Sequence, residues 1–383
     1  MPSIINEDLT QPGTHALIIG VSLYPHIADG DDPTPEGESF QLEQLSTAAR
    51  SAAEFAAWLL NEYHSPKAPL RSLRVLLSPA PGEQLNAVIQ ALLPPAHAAT
   101  RSAVEQDLVG FRAACDSHRD NVAIVYVAGH GVQMTKHGSV LLLQDFAKQG
   151  QLSRLQGAID MAAVHAGMNH PGTAQTQFWF VDACRQKPAI ARRFETLTGA
   201  LALDEPNGNA EASPLFLAAT TGSLAYGRLG GESLFNEALM WALRQAGAAE
   251  GPGGDDQYWR VTVTQLIKVL PDRVKALAAA HGENQSVDVA GKVHEATLHT
   301  YPKTPTVELH INLNPAAAQN KSQANLAQGN GQVILLNHNQ WPLVTEVAAG
   351  LYTLSINATV PYHSQMTILE IKPPQCQTAI EML

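Results

Sequence analysis

Two short apolar runs, each ending abruptly in polar residues, constrain the fold of this chain more than any other feature. The first is Phe-Trp-Phe-Val at 178–181, followed by Asp-Ala-Cys-Arg, and the second is VAIVYVA at 122–128, followed by Gly-His-Gly. Runs of this length predict central strands of a parallel sheet that is covered on both faces. Because functional groups gather at the carboxyl ends of such strands, Cys184 and His130 are predicted to meet at one sheet edge.

Runs of the same kind alternate with amphipathic patterns, in which apolar residues recur at three- and four-residue steps. This alternation predicts an α/β fold, a mostly parallel sheet flanked by helices with right-handed crossovers. The stretch from Tyr24 to Phe40 is rich in Asp, Pro and Gly and predicts a surface loop. The predicted strands are 15–21, 72–78, 122–128, 178–181 and 215–219, and a hairpin is predicted at 132–146. Helices are predicted at 42–63, 154–168, 234–246 and 263–280, and helical patterns dominate from about 84 to 118 with an interruption at Pro94-Pro95.

The pattern changes after about Thr300, where apolar and polar residues begin to alternate as in half-exposed strands. We therefore predict two domains, residues 1–300 and a small C-terminal antiparallel β-sandwich at 301–383. The sandwich carries no cluster of titratable groups, so it is expected to brace the chain or bind a regulatory partner, not to catalyse. Its predicted strands lie at 307–313, 333–336, 352–356 and 367–371, with a loop or linker at 314–331.

The charge balance excludes some partners. The chain has 24 Lys and Arg against 35 Asp and Glu, a formal net charge of -11, which argues against a general nucleic-acid or anionic-membrane binder. No apolar run approaches the roughly 18–20 residues of a membrane span, and the N-terminal residues lack a signal-peptide pattern. The 3 cysteines form no CxxC pair and favour a reducing compartment, so we expect a cytoplasmic protein.

No cofactor and no metal is predicted. The histidines are scattered without the spacing of metal ligands, and no GxxxxGK[ST] phosphate-binding motif occurs. The acidic stretch from Asp29 to Glu38 matches no EF-hand loop, which favours a solvated loop over a calcium site.

Cys184 and His130 together predict nucleophilic chemistry. A thiolate is the reactive form of cysteine, and a nearby imidazolium lowers the pKa of a thiol below about 8.5. Gly131 lets its backbone N–H approach a substrate carbonyl, so it and the N–H of Cys184 are candidates for an oxyanion hole. Taken singly, such a cysteine is more often a small buried hydrophobe and such a histidine a turn residue. Their equivalent positions after two predicted strands favour the catalytic interpretation.

Three segments resemble the caspase-like cysteine peptidases, specifically the bacterial caspase-family proteins. They are VAIVYVAGHGVQ at 122–133, GSVLLLQDF at 138–146 and FVDACRQKP at 180–188. The resemblance covers about residues 12–300. It implies a caspase-type fold, a Cys–His dyad and hydrolysis of peptide bonds in protein substrates. Members of the family act in stress, death and defence signalling, and the C-terminal segment lies outside the resemblance.

The resemblance also bears on specificity. Metacaspases form an acidic pocket for Arg or Lys, and Asp182 is retained from that pattern, whereas Ser51 stands where a second aspartate is common. Ala128 stands where many metacaspases have serine. We expect cleavage after Arg or Lys, since a buried carboxylate needs a cation or strong donors. In the alternative interpretation, Asp182 only accepts backbone hydrogen bonds.

The long polar connection at 186–213 predicts a site of processing. Related enzymes are often cut in this linker, and Arg192 and Arg193 are the candidate self-cleavage sites, whereas a cut after Asp204 would indicate the specificity of animal caspases. The alternative is an uncut loop. At the level of the whole chain, the alternative to a cysteine endopeptidase is a catalytically silent caspase-like adaptor. Retention of both His130 and Cys184 favours the enzyme.

Overall fold

The structure, a computed structural model, describes most of the chain. The described residues divide into two compact units, Met1–Met240 with Leu270–Leu298 and Trp241–Val269 with His299–Leu383. The division into domains 1–300 and 301–383 stays a prediction. The residues that the structure describes are 3–6, 9–93, 97–134, 139–153, 155–185, 187, 189–190, 196–203, 210–220, 222–228, 230–244, 247, 249–251, 258–329, 333–336 and 341–383.

Strands and helices alternate through the first part of the chain. The helices are α1 (Pro35–Glu38), α2 (Ala48–Asn61), α3 (Ala87–Leu92), α4 (Arg101–Cys115), α5 (Met161–Gly167), α6 (Leu234–Arg244) and α7 (Val263–Ala280). The first twelve strands in chain order are β1 (Ser3–Asn6), β2 (Thr14–Val21), β3 (Leu70–Ser78), β4 (Val122–Gly129), β5 (Gly131–Gln133), β6 (Ser139–Leu142), β7 (Ala158–Ile159), β8 (Thr176–Ala183), β9 (Ser213–Leu217), β10 (Ala249–Glu250), β11 (Trp259–Thr262) and β12 (Asp288–Lys292).

The largest sheet of the first unit has the order β1-β3-β2-β4-β8-β9-β12. Its five inner strands are mutually parallel, and β1 and β12 are antiparallel edge strands. Tyr126 of β4 stacks on Phe55 of α2, whereas Val125 and Val127 belong to the buried cluster that contains Phe111 of α4. Because side chains alternate along a strand, α2 and α4 cover opposite faces. The predicted mostly parallel sheet flanked by helices is confirmed.

Two predictions in this unit are wrong in detail. The helix predicted at 154–168 is only the short α5, because Asp160 caps its start: Asp160 Oδ1 accepts a hydrogen bond from Ala163 N–H at 3.0 Å, and β7 precedes it. The predicted surface loop after β2 is anchored by three buried side chains, Tyr24, Ile27 and Phe40, of which the tyrosine is 0% exposed. The sequence did not predict their burial, because the surrounding Asp, Pro and Gly residues are typical of an exposed loop.

The second unit contains sheets of the order β10-β11-β13, β17-β14-β20 and β16-β15-β18-β19. The last two share one apolar core, and their pairings are antiparallel except for β14 with β20. The predicted C-terminal antiparallel sheets are therefore confirmed, with one parallel pair added. The elements not yet given are β13 (Thr297–Tyr301), β14 (Thr306–Asn314), a 3₁₀ helix (Ala316–Lys321), β15 (Ser322–Gln328), β16 (Val333–Leu335), β17 (Leu343–Ala348), β18 (Gly350–Ala358), β19 (Gln365–Ile371) and β20 (Gln375–Glu381).

The linker predicted at 314–331 is wrong, since the 3₁₀ helix and β15 lie there. Ala324 and Leu326 of β15 are buried in the shared core and alternate with polar residues. Two small or medium apolar residues in a run of Asn, Gln and Ser are too weak a period-two pattern to detect.

Candidate active site

Strand register brings the two predicted functional residues to one place. In the parallel pairing of β4 with β8, Gly129 is the partner of Ala183. His130 and Cys184 are the next residues of their strands, so both leave the sheet at its carboxyl edge. Both line one pocket, together with Asp182.

The imidazole of His130 is held from two sides. Its Nε2 lies 2.7 Å from the carbonyl oxygen of Glu43, and its ring lies against the ring of Tyr24 with centroids 4.9 Å apart. A carbonyl can only accept, so Nε2 carries the proton and, in the neutral ring, Nδ1 carries the lone pair. Burial lowers the pKa of His130, although the bond to Glu43 and the charge of Asp29 oppose this. The neutral, basic form of the imidazole is therefore favoured.

The thiol of Cys184 is bound to the backbone of one residue. Its Sγ donates to the carbonyl oxygen of Ala225 at 3.3 Å and accepts from the N–H of Ala225 at 3.2 Å. We call this pair of bonds the Ala225 clasp. Burial raises the pKa of the thiol, the N–H of Ala225 lowers it, and the charge of Asp182 raises it again. Burial thus favours a neutral thiol beside a neutral imidazole, in place of the lowered thiol pKa predicted from the sequence.

Gly131 has no room for a side chain. A Cβ atom there would lie 2.0 Å from the carbonyl oxygen of Cys184. His130 O accepts a hydrogen bond from Leu142 N–H at 2.8 Å, so His130 and Leu142 are a hydrogen-bonded pair at the end of the β5–β6 ladder. In an antiparallel ladder such pairs alternate with pairs that exchange no hydrogen bond, and Gly131 with Leu141 is the next pair. The N–H of Gly131 therefore points away from β6.

Asp182 is a buried carboxyl, 5% exposed, that lines the same pocket. Its Oδ2 accepts hydrogen bonds from the hydroxyls of Tyr126, at 2.7 Å, and Ser233. Among the described residues, none donates a hydrogen bond to its Oδ1. Burial raises the pKa of Asp182 to about 6; the two hydroxyls lower it, and the nearby charge of Glu232 raises it. Its described partners are side-chain hydroxyls, not the backbone donors of the alternative interpretation.

A hydrogen-bonded network surrounds this carboxyl. Ser51, buried, accepts from the backbone N–H of Ser233 at 2.9 Å, so it supports the residue that binds Asp182. Ser233 Oγ also accepts from Asn236 N–H at 3.0 Å at the start of α6, and the Asn236 amide donates to Glu232 at 2.6 Å. Ala128, also buried, is the register partner of Asp182.

Sequence reasoning did not assign the contacts that several of these groups make. Ser233 could have been found as a capping residue before the apolar run of α6. Tyr24, Glu43 and Ala225 could not, because two of them act through backbone atoms and the third lies in a stretch predicted to be exposed. Glu232 offers a second carboxylate near Asp182, where the sequence suggested only one.

The predicted processing sites Arg192 and Arg193 lie outside the described residues, as does Asp204. Within the same connection, the described stretch 196–203 contacts other elements of the first unit. Leu201 forms a parallel bridge to Ile159 of β7, and the guanidinium of Arg101 donates to Gly199 O at 3.0 Å.

Within the described ranges, no group of three or more His, Cys, Asp or Glu side chains could hold a metal ion. Of the helices in those ranges, none has both the length and the apolar character needed to cross a bilayer.

Comparisons with known proteins give a family match and a similar solved structure. The family model described as Caspase domain matches residues 14–285. A search of the curated proteins finds no match. Among solved structures, the crystal structure of caspase-1 from Spodoptera frugiperda is similar at 11% sequence identity, with 78% of this chain and 93% of that chain covered and a TM-score of 0.41.

Proposed function

The chain belongs to the caspase-domain peptidase family, and from this premise we propose that it is a cysteine endopeptidase with Cys184 as nucleophile and His130 as general base. The observation that carries the proposal is the register of β4 and β8, which makes these residues the successors of the paired Gly129 and Ala183. Their shared pocket and the basic nitrogen left at Nδ1 of His130 support it further.

In this mechanism His130 takes the proton of the thiol as Sγ attacks the carbonyl carbon of the scissile bond. The carbonyl oxygen becomes an oxyanion that accepts from the N–H groups of Gly131 and Cys184. The imidazolium then gives its proton to the leaving amine, and a thioester remains on Cys184. Water, deprotonated by His130, hydrolyses the thioester and restores the thiol.

Substrate has to open the Ala225 clasp before this reaction. The clasp holds Sγ between the N–H and the carbonyl of Ala225, so an extended peptide that pairs with this backbone segment would release the thiol. Proton transfer to His130 then follows binding, which suits a resting state in which both groups are neutral.

The proposed specificity is for Arg or Lys before the scissile bond. Asp182 supports it, because a buried carboxylate with both described hydrogen bonds on Oδ2 can present Oδ1 to a cation. Glu232 adds negative charge nearby. We further propose self-processing after Arg192 or Arg193, and a regulatory partner for the C-terminal sheets.

The test uses peptides and a covalent probe. Purified protein is treated with a peptidyl acyloxymethylketone that carries Arg, and fluorogenic peptides with Arg, Lys, Asp or Leu before the reporter are assayed in parallel. Wild type should be labelled at Cys184 and should cleave the Arg and Lys peptides; Cys184→Ala should do neither. Cys376→Ala, which removes a partly exposed thiol of the second unit, should behave as wild type. Absence of wild-type labelling and cleavage would favour the silent adaptor.

A further inference from the structure

A tyrosine hydroxyl lies inside the junction between β4 and β5. Tyr24 is fully buried, and its Oη accepts a hydrogen bond from the backbone N–H of His130 at 2.8 Å. The same Oη can donate to Val21 O at 3.2 Å or to Leu142 O at 3.4 Å. One phenolic proton serves one of these carbonyls at a time.

This hydroxyl replaces a bond of the β5–β6 ladder. A hydrogen-bonded antiparallel pair exchanges two N–H···O bonds. Leu142 N–H donates to His130 O, but the N–H of His130 donates to Tyr24 Oη. The hydroxyl thus sets the orientation of the peptide group that enters His130, and with it the direction in which the imidazole leaves the backbone.

Tyr24 is itself tied to the segment that holds the imidazole nitrogen. The side-chain amide of Gln44 accepts from Tyr24 N–H and donates to Tyr24 O, each at 2.7 Å. Gln44 directly follows Glu43, whose carbonyl accepts the Nε2 proton of His130. Space at the junction is tight as well, because a Cβ atom on Gly129 would lie 2.8 Å from Tyr24 Oη.

We propose that Tyr24 is the positioning residue of the Cys184–His130 pair: its hydroxyl holds the backbone from which the imidazole and, one residue later, the Gly131 N–H project. This inference rests on the proposed function. Misplacement of a reacting group by about 1 Å can cost on the order of 100-fold in rate, so one hydroxyl can matter although it never touches substrate.

Tyr24→Phe tests the proposal, because it keeps the ring and removes the acceptor of a buried N–H. We expect kcat to fall about 10- to 100-fold with KM near the wild-type value, since the pocket around Asp182 is untouched. Gln44→Met, which releases the Tyr24 backbone without changing the hydroxyl, should give a smaller fall in kcat. Tyr63→Phe is the matched control: it removes a tyrosine hydroxyl bonded to Thr14 Oγ1 at 2.8 Å, and kcat should not change.

A readout that does not need peptide cleavage separates this inference from the proposed function. The rate of Cys184 alkylation by iodoacetamide is measured against pH by mass mapping. Because only the thiolate reacts, this profile reports how the imidazole affects ionisation of the thiol. A displaced profile in Tyr24→Phe, with the wild-type profile in Tyr63→Phe, supports the positioning role even if no tested peptide is cleaved. An unchanged kcat in folded Tyr24→Phe overturns the positioning role. If wild type cleaves no tested peptide, an unchanged alkylation profile in folded Tyr24→Phe overturns it.

Discussion

We expect the proposed preference for arginine and lysine substrates to fade as the pH falls through about 6, the value to which burial raises the pKa of Asp182. In the proposed pocket a cationic side chain binds to the ionised carboxylate. Protonation removes the charge and turns the carboxyl into a donor, so the basis of the preference disappears. Neutral substrates do not depend on that charge.

The size of the effect follows from the titration. With a pKa of about 6, about 99% of the Asp182 carboxyls are ionised at pH 8 and about 9% at pH 5. The ratio of kcat/KM for an arginine peptide to kcat/KM for the matched glutamine peptide should therefore fall about elevenfold over that range. Because kcat/KM reports the free enzyme, protonation of His130 or Cys184 acts equally on both substrates and cancels in the ratio.

The assay compares the two peptides at half-unit steps of pH on wild type and three variants. Asp182→Asn should give a small ratio that does not vary with pH. Glu232→Gln removes a charge that raises the pKa of Asp182, so its midpoint should lie at lower pH. Glu105→Gln, on α4, is the matched control and should titrate like wild type.

A wild-type ratio that favours arginine and stays constant between pH 8 and pH 5 would refute the role of Asp182. It would mean that another group binds the cation. A wild-type preference for aspartate or a large apolar residue would remove the pocket hypothesis altogether.

Three further predictions concern the dyad, the stability and the processing of the chain. Cys184→Ala and His130→Ala should each lower peptide hydrolysis by orders of magnitude with a native circular-dichroism spectrum, and near wild-type activity in either would refute the dyad. A carboxyl whose pKa is raised from 3.8 to about 6 lowers the free energy of unfolding by on the order of 3 kcal/mol above pH 6, and most of this cost is gone by pH 4. Asp182→Asn should therefore unfold at a higher temperature than wild type at pH 8 and at nearly the same temperature at pH 4; equal shifts at both pH values would contradict this. Intact-mass analysis should find a cut after Arg192 or Arg193 in wild type and none in Cys184→Ala, and identical cutting in both would indicate a contaminating protease.

The sheet and the meeting of the two candidate catalytic residues could be predicted because both depend on side-chain patterns. Uninterrupted apolar runs mark buried parallel strands, and the polar residues after them mark the strand ends. His130 and Cys184 needed no more than this, since adjacent parallel strands end at one edge. Asp182 could be placed by the same argument, two residues before the thiol.

The groups that hold those residues could not be predicted. Glu43 and Ala225 contribute backbone atoms, which every residue type has, so their identity carries no information about the contact. Tyr24 lies far from His130 in sequence, inside a stretch whose Asp, Pro and Gly residues suggest full exposure. The direction of the thiol pKa could not be predicted either, because burial, which depends on tertiary packing, is the largest influence on it and raises it.

The Ala225 clasp also bears on how the protein withstands oxidants. Hydrogen peroxide attacks thiolates, and oxidation beyond the sulfenic acid is irreversible in most proteins. A protonated sulfur held between a backbone N–H and a carbonyl offers peroxide little to react with. We therefore expect resting protein to keep Cys184 reduced under peroxide and to lose it during turnover, when substrate has opened the clasp. Mass mapping of Cys184 after peroxide treatment, with and without a peptide substrate, checks this, and equal oxidation in both would contradict it. The clasp would then preserve the reactive thiol through a period of oxidative stress in which no substrate is bound.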